Sequence, residues 1–315
     1  MSKISVVFFG SGPVAAASLR LLAKNFVVEA VITKPRPLHH KGAVPVLDLC
    51  ASPEAPTQRV ITVSNKSELS SILQTEHFVS QLGVVIDFGI IISQDVIDAF
   101  AFGIINSHFS LLPQWRGADP ITFSILSGQK QTGVSIMRIT AGLDEGPLLA
   151  VGVYDMQGSE TTPSLTAHLI KLSDGLLRDT LPGYVDGKIQ PAPQETYAQR
   201  LGYPSQPTFS RKLRKEDSVL NFAKPAEQLE REVRAFAGWP KSRFVLGDKE
   251  FTVTASHVES RSSSKTGTIW LEDKRFGFYC AQNSLVIDRI VPAGKKEMTA
   301  DAFLAGYRHL LAPAP

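Results

Sequence analysis

The chain has 315 residues, 43% of them hydrophobic, enough to bury a sizeable core and long enough to favour two domains over one. Its 33 basic and 30 acidic side chains leave a formal charge of +3, which by itself selects no partner. The distribution says more. Residues 1–199 carry 14 Lys/Arg against 17 Asp/Glu, whereas residues 200–315 carry 19 against 13, so a polyanionic partner is expected for the second part. The two cysteines, Cys50 and Cys280, stand far apart and outside any C-x-x-C pattern. That spacing excludes a disulfide scaffold and a zinc ribbon and fits a reducing cytoplasm.

"MSKISVVFFGSGPVAAASL" has the lysine, apolar run and small residues of a signal peptide, but Gly10, Gly12 and Pro13 break the run too early. A strand, turn and helix explain it better: "KISVVFF" as strand, Gly10–Pro13 as turn, and an amphipathic helix over 14–25. "VVEAVIT" reads as the second strand, followed by the polar loop "KPRPLHHKGAVP". "VVIDFG" and "FGIIN" read as further strands, then come a helix near Pro120–Leu126, the strands "TGVSIMRI" and "PLLAVGVYDM", and a helix over about 164–180. Strands alternating with helices predict a mostly parallel, Rossmann-like sheet covered on both faces. No run of about 18 apolar residues interrupts this pattern, so no membrane span is expected.

From Tyr184 to about Thr208 the chain is rich in Pro, Gly and Gln and reads as connecting chain, with a linker placed at 191–207. "KPAEQLEREVRAFAGW" is then a helix with Pro225 at its start. Four strand-rich stretches follow, "RFVLGDKEFTVTAS", "TGTIWLED", "RFGFYCAQ" and "SLVIDRIVPAG", with Gly247-Asp248 marking a hairpin. Residues 208–315 are therefore expected to form a small OB-like β-barrel after an α/β domain over 1–190.

Gly10-Ser-Gly-Pro-Val-Ala15 matches the dinucleotide pattern G-x-G-x-x-A. That pattern also needs an acidic residue ending the second strand, and here the strand ends Thr33-Lys34-Pro35. A tight structural turn is the better reading.

"INSHFSLLPQWRGADPI" (105–121) carries chemistry instead. Alternation along the strand puts Asn106 and His108 on one side as the strand ends, where open α/β sheets bind ligands. A carboxylate, Asp144, arrives at the end of a second strand in "SIMRITAGLD". An amide donor, an imidazole and a carboxylate suit acyl transfer to an amine without a covalent intermediate: Asn106 polarises the carbonyl, and His108, held by Asp144, moves protons.

"NSHFSLLPQWRGADPI" and "TGVSIMRITAGLDEGPLL" resemble the formyltransferases that use 10-formyltetrahydrofolate. The likeness continues at "ETYAQR", "RKLRKED", "VRAFAGWP" and "PAGKKEMTADAFLAGYR" and so covers nearly the whole chain. It is strongest to the members that formylate methionine on initiator methionyl-tRNA for translation initiation. The resemblance implies a catalytic trio of Asn106, His108 and Asp144. It implies a folate cradle of Phe88, Gly89, Ser110, Leu111, Leu112, Pro113, Ala141, Gly142 and Leu143. Arg116, in the Arg-Gly pair, is expected to anchor its loop or meet the tRNA end.

The loop after the second strand is shorter than in the family, leaving Arg36, His39, His40 and Lys41 as its polar groups. Of these, Arg36 and Lys41 are expected to contact tRNA phosphates. The His pair reads as exposed loop rather than metal site, and no metal is implied. Arg211, Lys212, Arg214, Lys215, Lys295 and Lys296 in the second part are expected to supply further tRNA contacts. A cytoplasmic monomer without an obligate protein partner is expected. A formyltransferase acting on an amino sugar or nucleotide amine stays open as an alternative. So does a non-catalytic folate- or nucleotide-binding protein.

Overall fold

The structure, a computed structural model, describes residues 3–39 and 42–311. The elements run β1 (Ser5–Phe9), α1 (Pro13–Asn25), β2 (Val27–Thr33), α2 (Pro45–Cys50), β3 (Val60–Thr62), α3 (Lys66–Thr75), β4 (Gly83–Val85), α4 (Gln94–Asp98) and β5 (Ile104–His108). Then come β6 (Arg116–Gly117), α5 (Pro120–Ser127), β7 (Gln131–Arg138), β8 (Leu148–Asp155), α6 (Thr162–Val185), α7 (Gln194–Leu201) and β9 (Phe209–Ser210). A 3₁₀ turn (Lys215–Ser218) leads into α8 (Ala226–Ala235), β10 (Arg243–Leu246), β11 (Lys249–Glu259), β12 (Ile269–Glu272), β13 (Arg275–Tyr279), β14 (Ser284–Pro292), β15 (Met298–Thr299) and α9 (Ala300–Leu311). The chain divides into two compact units.

The first unit comprises Met1–Ala118, Gln131–Asp155 and Thr166–Ser210. Its seven-stranded sheet has the order β3-β2-β1-β4-β5-β7-β8. The first five strands run parallel, whereas β7 is antiparallel to β5 and β8 to β7. Central β1 does not alternate: Val6 through Phe9 are fully buried, as a parallel strand covered on both faces requires. The strand order turns back between β1 and β4, and the carboxyl ends of these strands carry the Gly10–Pro13 turn and the Asp87–Gly89 loop. The Ser11 and Gly12 N–H groups donate to the Asp87 carbonyl at 3.0 and 3.3 Å, so amides that a pyrophosphate would need are spent on the protein's own backbone.

Residues 191–207 are not a linker. They form α7 and its exit, with Gln194, Tyr197, Ala198 and Tyr203 buried. The Tyr197 hydroxyl donates to Leu149 O (2.6 Å) and that of Tyr203 to Leu112 O (3.0 Å), while Tyr197 packs with Leu112 and Leu148 and Tyr203 with Leu111. The Pro- and Gln-rich composition hides two aromatics, each with an apolar body and a polar handle, and these suffice to dock the segment. Burial pushes the Tyr203 phenol up to about 12, so it stays a donor.

The second unit comprises Asp119–Lys130, Met156–Leu165 and Arg211–Pro315, so it takes two stretches from the part of the sequence assigned to the α/β domain. Hydrogen bonds explain their recruitment. Arg231 Nε donates to Leu126 O near the carboxyl end of α5 (3.1 Å), Arg234 Nη1 to Glu160 O (2.9 Å), and the Thr162 hydroxyl to Ala235 O (2.6 Å). Arginines on one helix thereby satisfy carbonyls left without helical partners elsewhere. Asp119 sits in the left-handed region (φ 58°) before α5, and its carboxylate accepts the Leu213 N–H at 3.0 Å.

The sheet of this unit is antiparallel, ordered β10-β11-β14-β13-β12 with β15 beside β14, and no ladder joins β10 to β12 among the described residues. It is a half-barrel, open as OB-like barrels are. Gly247 (φ 59°) and Asp248 make the expected two-residue hairpin between Leu246 and Lys249. Phe244, Phe251, Phe276, Phe278 and Phe303 fill its concave side, with α8 presenting Ala226, Leu229 and Val233 at helical spacing.

Candidate active site

β5 lies between β4 and β7, with Asn106 level with Val85 on one side and Met137 on the other. Because β5 is a strand, Asn106 and His108 share a face. The β7–β8 hairpin brings Asp144 to them. The Asn106 amide nitrogen is 3.4 Å from Asp144 Oδ1, and His108 Nδ1 is 3.7 Å from Asp144 Oδ2. His108 is 6% exposed, and the Asp144 carboxyl is 15% exposed.

Asp144 does not stand at the end of a strand, as the sequence suggested, because β7 ends at Arg138. β7 is antiparallel to β5, so its own end lies beside the start of β5. The loop 139–147 folds back instead, with Asp144 in the left-handed region (φ 49°). Gly146 makes that fold possible: a Cβ there would stand 1.8 Å from the Arg138 carbonyl oxygen.

Two contacts fix the polarity of the site. His108 Nε2 lies 2.9 Å from Trp115 O, and since a carbonyl only accepts, Nε2 carries the proton. In the neutral ring Nδ1, the nitrogen facing Asp144, is then the lone-pair nitrogen. Asp144 Oδ2 accepts the Gly117 N–H at 2.8 Å. Gly117 has φ 106° and a Cβ there would meet Ser210 O at 2.5 Å, so the amide reaches the carboxylate only because the residue is glycine.

The segment 115–117 is in turn pinned by the chain around β9. Thr208 O accepts the Arg116 N–H (2.9 Å), and Thr208 Oγ1 accepts the Trp115 N–H (2.9 Å). A groove of about 380 Å³ opens at the amino end of β5, lined by Ile97, Phe100, Phe102, Gly103, Arg138 and Ile139. Arg138 pairs with Ile105, one residue before Asn106.

Residues 2–181 match the formyl transferase family, and residues 212–308 match the formyl transferase C-terminal domain. The chain belongs to the formyl transferase family. Among curated relatives it is 33% identical to the methionyl-tRNA formyltransferase of Myxococcus xanthus, over 99% of this chain and 97% of the relative. It is 30% identical to that of Pseudoalteromonas translucida, over 98% and 96%. The fold is also similar to that of an N-formyltransferase from Helicobacter canadensis in complex with folinic acid and dTDP-3-aminofucose (TM-score 0.63, 13% identity, 91% of this chain and 99% of that one). HypX from Aquifex aeolicus in complex with tetrahydrofolic acid matches at TM-score 0.63 and 14% identity, over 96% of this chain but only 47% of that longer one.

Within this formyl transferase the expected cradle separates into two kinds of residue. Gly89 and Ala141–Leu143 are exposed loop residues, whereas Phe88 is buried. Ser110, Leu111, Leu112 and Pro113 are buried as well. Ser110 donates its hydroxyl to Gln114 O (2.6 Å), and Ser135 Oγ ties Ser110 O to the Leu112 N–H (2.8 and 3.0 Å).

Arg116 is no surface cation either. It is 9% exposed and donates to Gln194 Oε1 (2.9 Å) and Glu145 Oε1 (3.3 Å), contacts that tie its loop to the chain around Asp144. Arg36 is exposed and paired with Asp48 at 2.6 Å. His40 and Lys41 lie outside the described residues.

Arg211 is bound through both terminal nitrogens to Asp217 (2.7 Å each), and this charge-assisted pair holds the Asp217 carboxyl down to about 2. Lys212, Arg214, Lys215, Lys295 and Lys296 are exposed. Sequence reasoning missed Trp115, Gly117, Thr208 and above all Gln194, whose "PAPQET" context carries no catalytic signature.

Proposed function

We infer that this chain transfers the formyl group of 10-formyltetrahydrofolate to the amino group of methionine on initiator methionyl-tRNA. The observation that carries the reading is the meeting of Asn106, His108 and Asp144 in a formyl transferase whose curated relatives, matched along nearly their full length, are methionyl-tRNA formyltransferases. The likeness to sugar-acting enzymes, at 13% identity, extends to fold alone.

10-Formyltetrahydrofolate supplies the formyl carbon. The Asn106 amide donates a hydrogen bond to the carbonyl oxygen as it takes up charge. In neutral His108 the Nε2 proton is held by Trp115 O, which leaves the Nδ1 lone pair to accept the proton of the attacking amine and return it to the departing nitrogen. Asp144, fixed by Gly117, stabilises the imidazolium formed in between. The exposed loop residues Gly89, which follows β4, and Ala141–Leu143, which precede Asp144, offer backbone polar groups to a flat heteroaromatic ring with polar edges.

Catalysis belongs to the first unit, and phosphate contacts to Lys212, Arg214, Lys215, Lys295 and Lys296 of the second, joined by Arg36. Both cysteines are free, in keeping with work in the cytoplasm. The test is direct. Incubation with radiolabelled 10-formyltetrahydrofolate should label aminoacylated initiator tRNA and not a nucleotide-linked amino sugar. Label on the sugar alone would establish the alternative, and label on neither would remove the enzyme reading.

A further inference from the structure

Gln194 is 3% exposed and opens α7, directly after Pro193. Its amide makes three hydrogen bonds to nitrogen and oxygen partners, beside a longer contact from Nε2 to Met137 Sδ (3.8 Å). Oε1 accepts from Arg116 Nη2 at 2.9 Å, and Nε2 donates to Asp144 O at 2.8 Å and to Gly146 O at 3.0 Å. These partners fix the orientation of the amide, because a flipped Gln194 would set its oxygen against two carbonyls and its NH₂ against a guanidinium.

Beside the pair of Arg116 Nη1 with the more exposed Glu145 Oε1 (3.3 Å), two connections join the strand β6 to Asp144 itself and its neighbouring backbone. One is direct, from the Gly117 N–H to the carboxylate. The other runs from the Arg116 guanidinium through Gln194 to the main chain of residues 144 and 146. The second connection acts where the loop is least content by itself. Asp144 holds a left-handed backbone (φ 49°) that a residue with a Cβ keeps only when its surroundings enforce it. The Asp144 carbonyl is the group that Gln194 holds.

We propose that Gln194 is a positioning residue for formyl transfer: it couples buried Arg116 to the backbone of Asp144 and so sets the carboxylate opposite His108. This rests on the role given to Asp144 above. A displacement of about 1 Å at such a group typically costs on the order of a hundredfold in rate.

The test uses the full-length chain and Gln194→Met, which keeps the side-chain length and removes all three hydrogen bonds. Single-turnover formyl transfer should fall about ten- to a hundredfold while KM for methionyl-tRNA changes by less than about twofold. The limb of the pH–rate profile that reports the His108–Asp144 couple should shift. In an Asp144→Ala background the same substitution should have no further effect on rate, because a residue acting through another loses its influence when that other is gone. Near-parental turnover of Gln194→Met, with Asp144→Ala inactive, would overturn the positioning role and leave the reading of the site intact. An equal further loss in the Asp144→Ala background would overturn it too, since the effect would then be general. Full turnover of Asp144→Ala would overturn both.

Discussion

In the first unit the polar groups of the site are largely buried and each is held by a fixed partner, whereas in the second the exposed basic residues differ among themselves. Asp144 is held by Gly117, His108 by Trp115 O and Arg116 by Gln194, so each has one orientation. In the second unit the arginines are largely engaged: Arg211 with Asp217, Arg243 with Glu250, Arg261 with Glu272, Arg275 with Glu259 and Arg289 with Glu297. Lys212, Lys215, Lys295 and Lys296 form no ion pair among the described residues. A charge already satisfied contributes geometry, and an unsatisfied one is available to a polyanion. The difference follows from chemistry, since a planar guanidinium matches a carboxylate through two bonds and an ammonium remains a hydrated point charge.

The comparison can be broken most forcefully at the trio. Asn106→Ala should lower kcat by about 10²–10³. His108→Ala and Asp144→Ala should be at least as damaging, with unfolding midpoints close to the parent. Three variants that all melt far below the parent, or one that turns over normally, would make these residues structural.

Next in size is tRNA affinity. Replacing Lys212, Lys215, Lys295 and Lys296 together by Ala should weaken binding and flatten the salt dependence of log K, by about 0.7–0.9 for each phosphate contact removed. Arg211→Ala should flatten it less, because its guanidinium is bound to Asp217. Equal slopes for the two variants would erase the distinction between engaged and available cations. These variants are better than truncation near Gln190, which would remove α7 and β9 and with them Gln194 and Thr208.

A smaller effect is expected at Arg36. Arg36→Ala should raise KM for tRNA several-fold and leave KM for the folate unchanged, measured by varying each substrate in turn. Equal changes in both would place Arg36 elsewhere.

The smallest effect sharpens the structural side. The Asp217 carboxyl is depressed from 3.8 to about 2, chiefly by its hydrogen bond from Arg211, so its contribution is present above about pH 4 and fades as pH falls through 2. Asp217→Asn should lower the unfolding midpoint by a few degrees at pH 7, and the gap to the parent should close toward pH 2. A gap independent of pH would mean that the carboxylate's charge is not what stabilises this turn.

Much of this was legible in the sequence because it is local. The uninterrupted apolar run of β1 marks a central parallel strand, and the two-residue period of β5 by itself sets Asn106 and His108 on one side. Gly247-Asp248 names its own hairpin. The strength of the N-x-H, S-L-L-P and L-D-x-G elements as a family signature is likewise a property of short stretches.

What the tertiary structure alone decided depends on partners far away in the chain. Asp144 reaches the site from an antiparallel hairpin because Gly146 lets the loop close on Arg138 and Gly117 offers an amide 27 residues back. Arg116 is interior because Gln194, 78 residues later, accepts its guanidinium. Ser110–Pro113 are buried because Tyr203 and Ser135 take up their polar backbone. The second unit draws α5 from the first half of the sequence because Arg231 meets the Leu126 carbonyl near its end. Composition sums over residues and periodicity reads neighbours, and neither registers which distant donor meets which buried acceptor. That pairing is fixed only when the chain is folded, because a buried polar group must find a partner wherever the packing supplies one.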